Sequence, residues 1–301
     1  MKHIFLTGGT GFFGKSILSM VRCGALPEYQ FTILSRNPDR FLDENPMFQN
    51  IEAVSYIQGD VRDFQFPHGH FDYVLHAGSP AMDMPPGVQR DIILKGTEHT
   101  LNLAKQCGAD KFMFVSSGAV YGSQQADLEL IPEAFPCHPC SEYGIAKLEA
   151  EQMCISSGIH TLLPRCFAFV GPYLNRNIHF AIGNFIRDAL NNDIIEIKGD
   201  GTPQRSYMYA DDLVRWLFTI MEHGQNGRPY NVGSDEAISI LELAKTVRDV
   251  LKSKAEIRVA STPLDDHKPS RYIPSIERAK TELDLHLRFS LQRAILKSVH
   301  P

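Results

Sequence analysis

Residues Thr7-Gly8-Gly9-Thr10-Gly11-Phe12-Phe13-Gly14 constrain this chain more than any other stretch. An apolar run, His3-Ile4-Phe5-Leu6, precedes them and reads as a buried strand. Ile17, Leu18, Met20 and Val21 follow at helical spacing. A strand that turns at once into a helix needs backbone freedom at the turn, and three glycines supply it. Gly8 suits the tight turn, Gly11 lets the backbone approach a pyrophosphate, and Gly14 lets helix and strand pack closely. The free N–H groups at the helix start then face the anion.

The same rhythm continues. Residues 31–34, 53–57, 73–76, 112–115 and 161–163 read as strands, and 88–107 and 143–156 as helices. This alternation predicts an α/β fold, a doubly wound parallel (Rossmann) sheet that binds its ligand across the carboxyl ends of its strands. From about Gly171 glycines and prolines scatter, helices stand apart and strands are few, which predicts a smaller C-terminal substrate lobe. The expected division gives residues 1–170 to a dinucleotide-binding domain, with 206–234 returning to it. Residues 171–205 and 235–301 form the lobe.

Composition removes other classes. A net charge of −5 leaves no electrostatic footprint for nucleic acid or an anionic membrane. No apolar run approaches the roughly 18–20 residues of a membrane span. The chain enters its first strand at once, without the pattern of a secretory signal. Six cysteines in 301 residues do not make a disulfide scaffold, so a cytoplasmic location is expected.

Tyr143-Gly144-Ile145-Ala146-Lys147 places a phenol and an ammonium four apart, on one face of a helix. A nearby ammonium favours phenolate, which suits an acid/base group. Ser117 sits just past a predicted strand end, where its hydroxyl can bond a substrate carbonyl or alcohol. Y-x-x-x-K alone is a common spacing on solvated helices; beside the glycine loop and this serine it reads as a site. After the second strand come Leu34-Ser35-Arg36-Asn37, with no carboxylate for a ribose 2′-hydroxyl. Ser35 and Arg36 instead offer donors and a positive charge to a 2′-phosphate, so NADP is expected over NAD; the alternative is Arg36 stacked on adenine with NAD bound. Arg205, beside Gly199-Asp200-Gly201, has the planar fork that suits phosphate, and Arg271 is a second candidate; a surface salt bridge is the plain alternative for both. Cys137-His138-Pro139-Cys140 is a C-x-x-C without a second cysteine pair to complete a zinc site, and reads as two loop cysteines. Met82, Met84, Pro85 and Pro86 read as a wall of the sugar pocket or as a loop packed on the lobe. Trp216, in step with Leu213, Leu217 and Ile220, reads as core.

With these motifs the chain resembles, over nearly its whole length, the extended short-chain dehydrogenases/reductases of the nucleotide-sugar epimerase, dehydratase and reductase group. Thr7 to Gly14 resembles the dinucleotide loop, and Gly59-Asp60-Val61 the turn that contacts adenine. Val74-Leu75-His76-Ala77-Gly78 resembles the strand beneath the nicotinamide, and Lys95-Gly96-Thr97 the end of N-V-x-G-T. Ser116-Ser117-Gly118-Ala119-Val120-Tyr121-Gly122 is similar to S-S-x-x-V-Y-G. Residues 164–172 resemble R-x-F-N-V-Y-G-P, and Tyr230-Asn231-Val232-Gly233 the returning final strand. Gly199-Asp200-Gly201-Thr202, with Arg205-Ser206-Tyr207 and Asp211-Asp212-Leu213, resembles the nucleotide-sugar lobe, in which the arginine holds diphosphate.

The resemblance implies hydride transfer at a sugar carbon through a nicotinamide. Tyr143 is then the acid/base, Lys147 binds ribose and tunes Tyr143, and Ser117 orients the reacting oxygen. Cofactor contacts are implied at Gly8, Thr10, Gly11, Phe12, Phe13, Gly14, Ser35, Arg36, Asp60, Val61, His76, Ala77, Gly78, Lys147 and Pro164. Substrate contacts are implied at Ser79, Ser117, Tyr143, Asn184, Arg205 and Arg271. A homodimer through the helices at 88–107 and 143–156 is implied as well, and Ile145, Leu148 and Met153 offer an apolar stripe for it.

Departures from the pattern bear on the reaction. Family dehydratases and decarboxylases usually carry threonine at the position of Ser117 and an acidic residue one or two places on; here those places are Gly118 and Ala119. Ile93 and Ala168 replace two family asparagines. The expectation is an NADPH-dependent reductase of a 4-keto-6-deoxyhexose nucleotide in surface-polysaccharide synthesis. The alternatives are a 4-epimerase with tightly bound NAD and a non-catalytic dinucleotide sensor.

Overall fold

Apolar runs with no polar face must be covered on both sides, which a parallel sheet between helices achieves. The computed structural model, which describes residues 1–80, 84–178, 180–262 and 269–300, has this arrangement. Its strands are β1 (Lys2–Thr7), β2 (Tyr29–Ser35), β3 (Val54–Gln58), β4 (Tyr73–His76), β5 (Lys111–Phe114), β6 (Ser116–Ser117) and β7 (Thr161–Cys166). The helices between them are α1 (Phe12–Arg22), α2 (Pro38–Glu44), α3 (Pro86–Gln106) and α4 (Glu142–Ile155). The spatial order β7-β5-β4-β1-β2-β3 reverses direction between β1 and β4, the switch point at which such sheets bind ligands. The pairs along this path are parallel. Phe5, Val74, Phe112 and Phe114 of the strands pack with Leu101 and Leu103 of α3 and Ala146 and Ala150 of α4.

One residue breaks the ladder. Phe112 and Met113 pair with Thr161 and Leu162, and the same register resumes where Ser116 and Ser117 meet Arg165 and Cys166. Pro164 lies in the gap and has no N–H to donate. Its cost is one interrupted stretch of ladder without a slip in register, and β6 is left as a two-residue strand.

By internal contacts the chain divides into two units. One comprises Met1–Gly122, Pro136–Cys166 and Leu217–Tyr230; the other comprises Ser123–Phe135, Phe167–Trp216 and Asn231–Pro301. The sequence reading kept residues 123–135 with the first domain. The contacts put them with the second: Ile131 bridges Pro274, its N–H donates to the Ile273 carbonyl at 2.9 Å, and Asn231 Nδ2 donates to the Ile131 carbonyl at 2.8 Å. The second unit also holds more strands than expected, each of two or three residues. β8 (Phe169–Val170) pairs with β11 (Met208–Tyr209), and β9 (Ile195–Ile197) with β14 (Ile257–Val259). β10 (Gln204–Arg205) lies between β13 (Ile238–Ser239) and β15 (Arg271–Tyr272). Helices α5 (Ala181–Asn191), α7 (Ile240–Val250) and α9 (Leu291–Val299) surround a core of Ile182, Phe185, Ile195, Leu243, Val247 and Ile295; α8 (Glu277–Leu283) is shorter. The division falls within α6 (Ala210–His223), and Trp216 on it is fully buried. β12 (Pro229–Val232) then completes the large sheet beside β7.

Glu222, on the last turn of α6, fastens the amino-terminal edge of that sheet. Its carboxylate accepts from Lys2 Nζ at 2.5 Å, Tyr29 OH at 2.6 Å and Tyr73 OH at 3.1 Å. Burial pushes its pKa up, and the bonds from Lys2, Tyr29 and Tyr73 outweigh burial, so the net shift is downward from 4.5. A depressed carboxylate pKa stabilises the fold fully above the unfolded value and loses that contribution as pH falls through the folded one. Glu222→Ala is therefore expected to lower stability by about 2 kcal/mol at pH 7. Denaturant titrations at pH 7 and pH 3 should show the gap between variant and wild type shrinking in acid. An equal gap at both pH values would refute this role.

Candidate active site

The loop after β1 is shaped by its neighbours. Gly8 has φ +76°, and a Cβ there would lie 2.6 Å from the Ala77 carbonyl group in the loop after β4. Thr7 ties the same two loops: its Oγ1 accepts from Gly78 N–H at 3.0 Å. At Gly14 a Cβ would lie 2.2 Å from the Gly9 backbone, so helix and loop touch here. Gly11 is the N-cap of α1 and carries no side-chain cap, and the first turn holds no acidic residue. Thr10, Phe12 and Phe13 flank it, partly buried. The helix start thus keeps N–H donors without a capping side chain, which fits a pyrophosphate.

His76, expected at the cofactor, keeps its ring in the core. Nδ1 bonds Thr7 Oγ1 at 2.7 Å and Nε2 bonds Thr97 Oγ1 at 3.2 Å. Burial lowers its pKa to about 3. Both ring nitrogens are engaged, and its carbonyl accepts from Val115 N–H at 3.0 Å; Ala77 and Gly78 are partly exposed beyond it, and Ser79 is exposed. At the end of β2, Ser35 is buried and its Oγ accepts from Asn37 N–H at 3.3 Å, which turns that hydroxyl inward. Arg36 is exposed. Asp60 accepts from Arg62 through both oxygens, Nε to Oδ1 at 2.8 Å and Nη2 to Oδ2 at 3.1 Å, and this bonding lowers its pKa. Val61 packs against the core that includes Ile93, one of the positions where the family asparagine is missing.

The candidate acid/base pair, Tyr143 and Lys147, lies on α4. Ser141 caps the helix, its Oγ accepting from Gly144 N–H at 3.1 Å. Lys147 is buried; its ammonium donates to the Val115 carbonyl at 2.9 Å and lies 5.8 Å from the centre of the Tyr143 ring. Ser117 Oγ accepts from Ala119 N–H at 3.1 Å and so caps the 3-10 turn Gly118–Tyr121, against which α4 packs. Gly144 permits this approach, because a Cβ there would lie 2.6 Å from the Ala119 carbonyl oxygen. One unit therefore brings together the glycine loop, Ser117, Tyr143 and Lys147. Gly144 and the buried residues Ser116, Glu151 and Arg165 were missed as site residues. The eight-residue step from Tyr143 to Glu151, two turns along one helix face, was the signal available.

The second unit holds the remaining candidates. Arg205 donates to the Gln204 carbonyl at 2.7 Å, and Arg271 donates to the Glu129 carbonyl at 3.3 Å from the neighbouring strand. Among the described residues, Asn184 Oδ1, Gln204 Oε1, Ser206 Oγ and Arg271 Nε are buried without a hydrogen-bond partner. Buried polar atoms are rarely left so; a ligand's hydroxyls can donate to the two amide oxygens, and an anion can accept from Arg271 Nε–H. The described residues hold no cluster that could bind a metal, and Cys137 and Cys140 are not disulfide-bonded. Met82 lies outside the described residues; Pro85 and Pro86 begin α3, and Met84 just before them is partly buried.

The close approach at Gly144 generates a test. Gly144→Ala forces helix and turn apart, and displacements of about 1 Å at a reacting centre cost up to roughly 10² in rate. Turnover is expected to fall at least tenfold with cofactor affinity retained, measured by steady-state kinetics and fluorescence titration. Turnover within twofold of wild type would show that the approach does not matter.

Comparison with known proteins agrees with this geometry. Residues 4–233 match the NAD dependent epimerase/dehydratase family. UDP-glucuronic acid decarboxylase 1 of Xenopus tropicalis is 29% identical over 321 residues, covering 99% of this chain and 72% of that protein. UDP-glucuronic acid decarboxylase 5 of Arabidopsis thaliana is 30% identical over 325 residues, covering 97% and 87%. Among solved structures, the UDP-glucuronic acid 4-epimerase of Bacillus cereus in complex with NAD superposes with a TM-score of 0.82 at 22% identity, covering 100% of this chain and 96% of that one. With the family matched over most of its length and the Rossmann-like sheet in place, the chain belongs to the NAD-dependent epimerase/dehydratase family of enzymes.

Proposed function

We propose that this enzyme transfers a hydride at C4 of a nucleotide-linked hexose, reducing a 4-keto-6-deoxyhexose nucleotide with NADPH. The observation that carries the reading is the packing of the Tyr143–Lys147 helix on a turn whose residues after Ser117 are Gly118 and Ala119. Water elimination and decarboxylation in this family go with an acidic group at those positions. Without one, proton transfer at the neighbouring carbon loses its agent, and exchange of hydride and proton at one carbon remains.

A bound nicotinamide supplies the hydride. Tyr143 delivers its phenolic proton to the C4 oxygen as the carbonyl becomes an alcohol. Ser117 Oγ accepts from Ala119 N–H, which leaves its O–H free to donate to the same oxygen. Lys147 uses one of its three N–H donors on Val115, leaving two for ribose hydroxyls and for the electrostatic support of Tyr143. Arg205, Arg271 and Asn184 are assigned to the substrate, Arg205 to its diphosphate. NADP in place of NAD rests on Arg36, exposed at the end of β2 with no carboxylate in that turn. The partner is a second copy of the chain, through α3 and α4, where Val88 and Ile155 are exposed.

A second reading, C4 epimerisation with NAD retained between half-reactions, is favoured by the likeness to the Bacillus cereus 4-epimerase with NAD. A dinucleotide sensor has no use for the Ser117, Tyr143 and Lys147 set.

Deuterated NADPH separates these. With a nucleotide 4-keto-6-deoxyhexose, one deuterium is expected at C4 by mass spectrometry, and Tyr143→Phe is expected to slow this about 10²–10⁴-fold while cofactor still binds. Tightly held cofactor and C4 inversion without net NADPH use would establish the epimerase. Release of CO₂ from UDP-glucuronic acid, or of water from a nucleotide glucose, would overturn the reading of Gly118 and Ala119. For the cofactor, Arg36→Asp is expected to weaken NADPH about 10–100-fold, and NADH much less, since it sets a carboxylate against the 2′-phosphate. Wild-type preference for NADH, with NADPH affinity unchanged in the variant, would overturn the NADP assignment.

A further inference from the structure

We propose that Glu151, Arg165 and Ser116 form a buried positioning node that fixes the Tyr143–Lys147 helix against the strand carrying Ser117. The proposal rests on the reading that Ser117, Tyr143 and Lys147 act together in the proposed reaction, and deepens it. Tyr143, Lys147 and Glu151 follow one another at four-residue steps along α4. Lys147 bonds the carbonyl of Val115, between β5 and β6, and one turn on, Glu151 bonds the next residue: Ser116 Oγ donates to Glu151 Oε1 at 2.5 Å. Ser116 and Arg165 are paired residues of the short β6–β7 ladder. Arg165 grips the same carboxylate with two bonds, Nε to Oε1 at 3.0 Å and Nη2 to Oε2 at 2.7 Å. One carboxylate thus holds both members of the strand pair directly before Ser117.

Arg165 extends the node to the other segments of the site. Its guanidinium lies 4.9 Å from the centre of the Tyr121 ring, at the end of the turn that Ser117 caps. Cys137, on the loop leading into α4, feels its positive charge, which works against the larger upward push of burial on the thiol pKa. Helix, strand pair and turn meet at one guanidinium. Ser116, Glu151 and Arg165 are each less than a tenth exposed. A buried ion pair gives little net stability over apolar residues of similar size, so its value here is geometric. The ladder needs it: Pro164 interrupts the pairing just before Arg165, and two residue pairs alone hold β6.

The double substitution Glu151→Leu/Arg165→Met tests this, since replacing both charges avoids an unpaired ion. Expected are retained folding by thermal melting and NADPH affinity within threefold of wild type. Amide exchange is expected to rise at least tenfold in residues 115–121 and 142–147 but not in β1 and α1. The value of kcat should fall about 10²-fold with KM changed less than threefold. Exchange and kcat both at wild-type levels in the folded double variant would overturn the proposal. Lost stability, with the remaining kcat and local exchange unchanged in the folded fraction, would overturn it too, leaving the pair purely structural. If wild type turns over none of the nucleotide sugars, the proposed function fails and the exchange readout alone decides the node. Should the double variant not fold, Ser116→Ala decides by the same two readouts. It removes one hydroxyl and keeps the ion pair, so a threefold to tenfold fall in kcat with faster local exchange supports the node, and neither change overturns it.

Discussion

A proline inside a buried parallel strand cannot be ignored by its neighbours. Pro164 offers β5 and β6 no N–H, and the ladder lapses for two residue pairs before resuming in register. The strand edge that carries Ser117 therefore leans on side chains. Lys147 takes the Val115 carbonyl and Glu151 takes the Ser116 hydroxyl. The donor and the acceptor come from one helix, so α4 and the strand end are located with respect to each other by the contacts that repair the sheet.

This makes α4 an unusual amphipathic element. Its buried face includes Lys147 and Glu151, while Ile155 is exposed and Ile145 and Leu148 are only partly covered. Hydrophobic burial normally sets the orientation of a helix on a sheet. Here Gly144, Ala146 and Ala150 let the helix come close, and charged groups fill the remaining depth. The apolar residues left outside are those assigned to a second copy of the chain.

The large sheet was legible because its strands are continuous apolar runs ended by glycine or serine. The run 73–76 coincides with β4, while β1, β2 and β7 extend beyond the apolar residues that revealed them. Strands of two or three residues, such as β10 and β15, are too short for any alternation to register, so the second unit looked poorer in strands than it is. Tyr143 and Lys147 stood out through their spacing and Ser117 through its place at a strand end, and all three lie in one unit. Glu151 was harder to read: it lies two turns from Tyr143 on one helix face, but a glutamate among Glu149 and Gln152 reads as solvated, and its bonds to Ser116 and Arg165 show only in the fold. His76 was expected at the cofactor because residues 74–78 resemble the family strand beneath the nicotinamide. Two threonines distant in sequence, Thr7 and Thr97, turn it into a core residue.

Neither unit is a continuous stretch of chain: the boundaries fall after Gly122, Phe135, Cys166, Trp216 and Tyr230. β12, which closes the edge of the large sheet, lies at Pro229–Val232. On a ribosome, the unit that holds the large sheet therefore waits for most of the polypeptide to emerge before its last strand can dock. The usual order, in which an N-terminal domain folds while the next is still being made, is denied to it. In evolution the same interleaving blocks simple exchange of either unit by cutting and joining at a single point. New specificities in such a chain arise by changing residues in place.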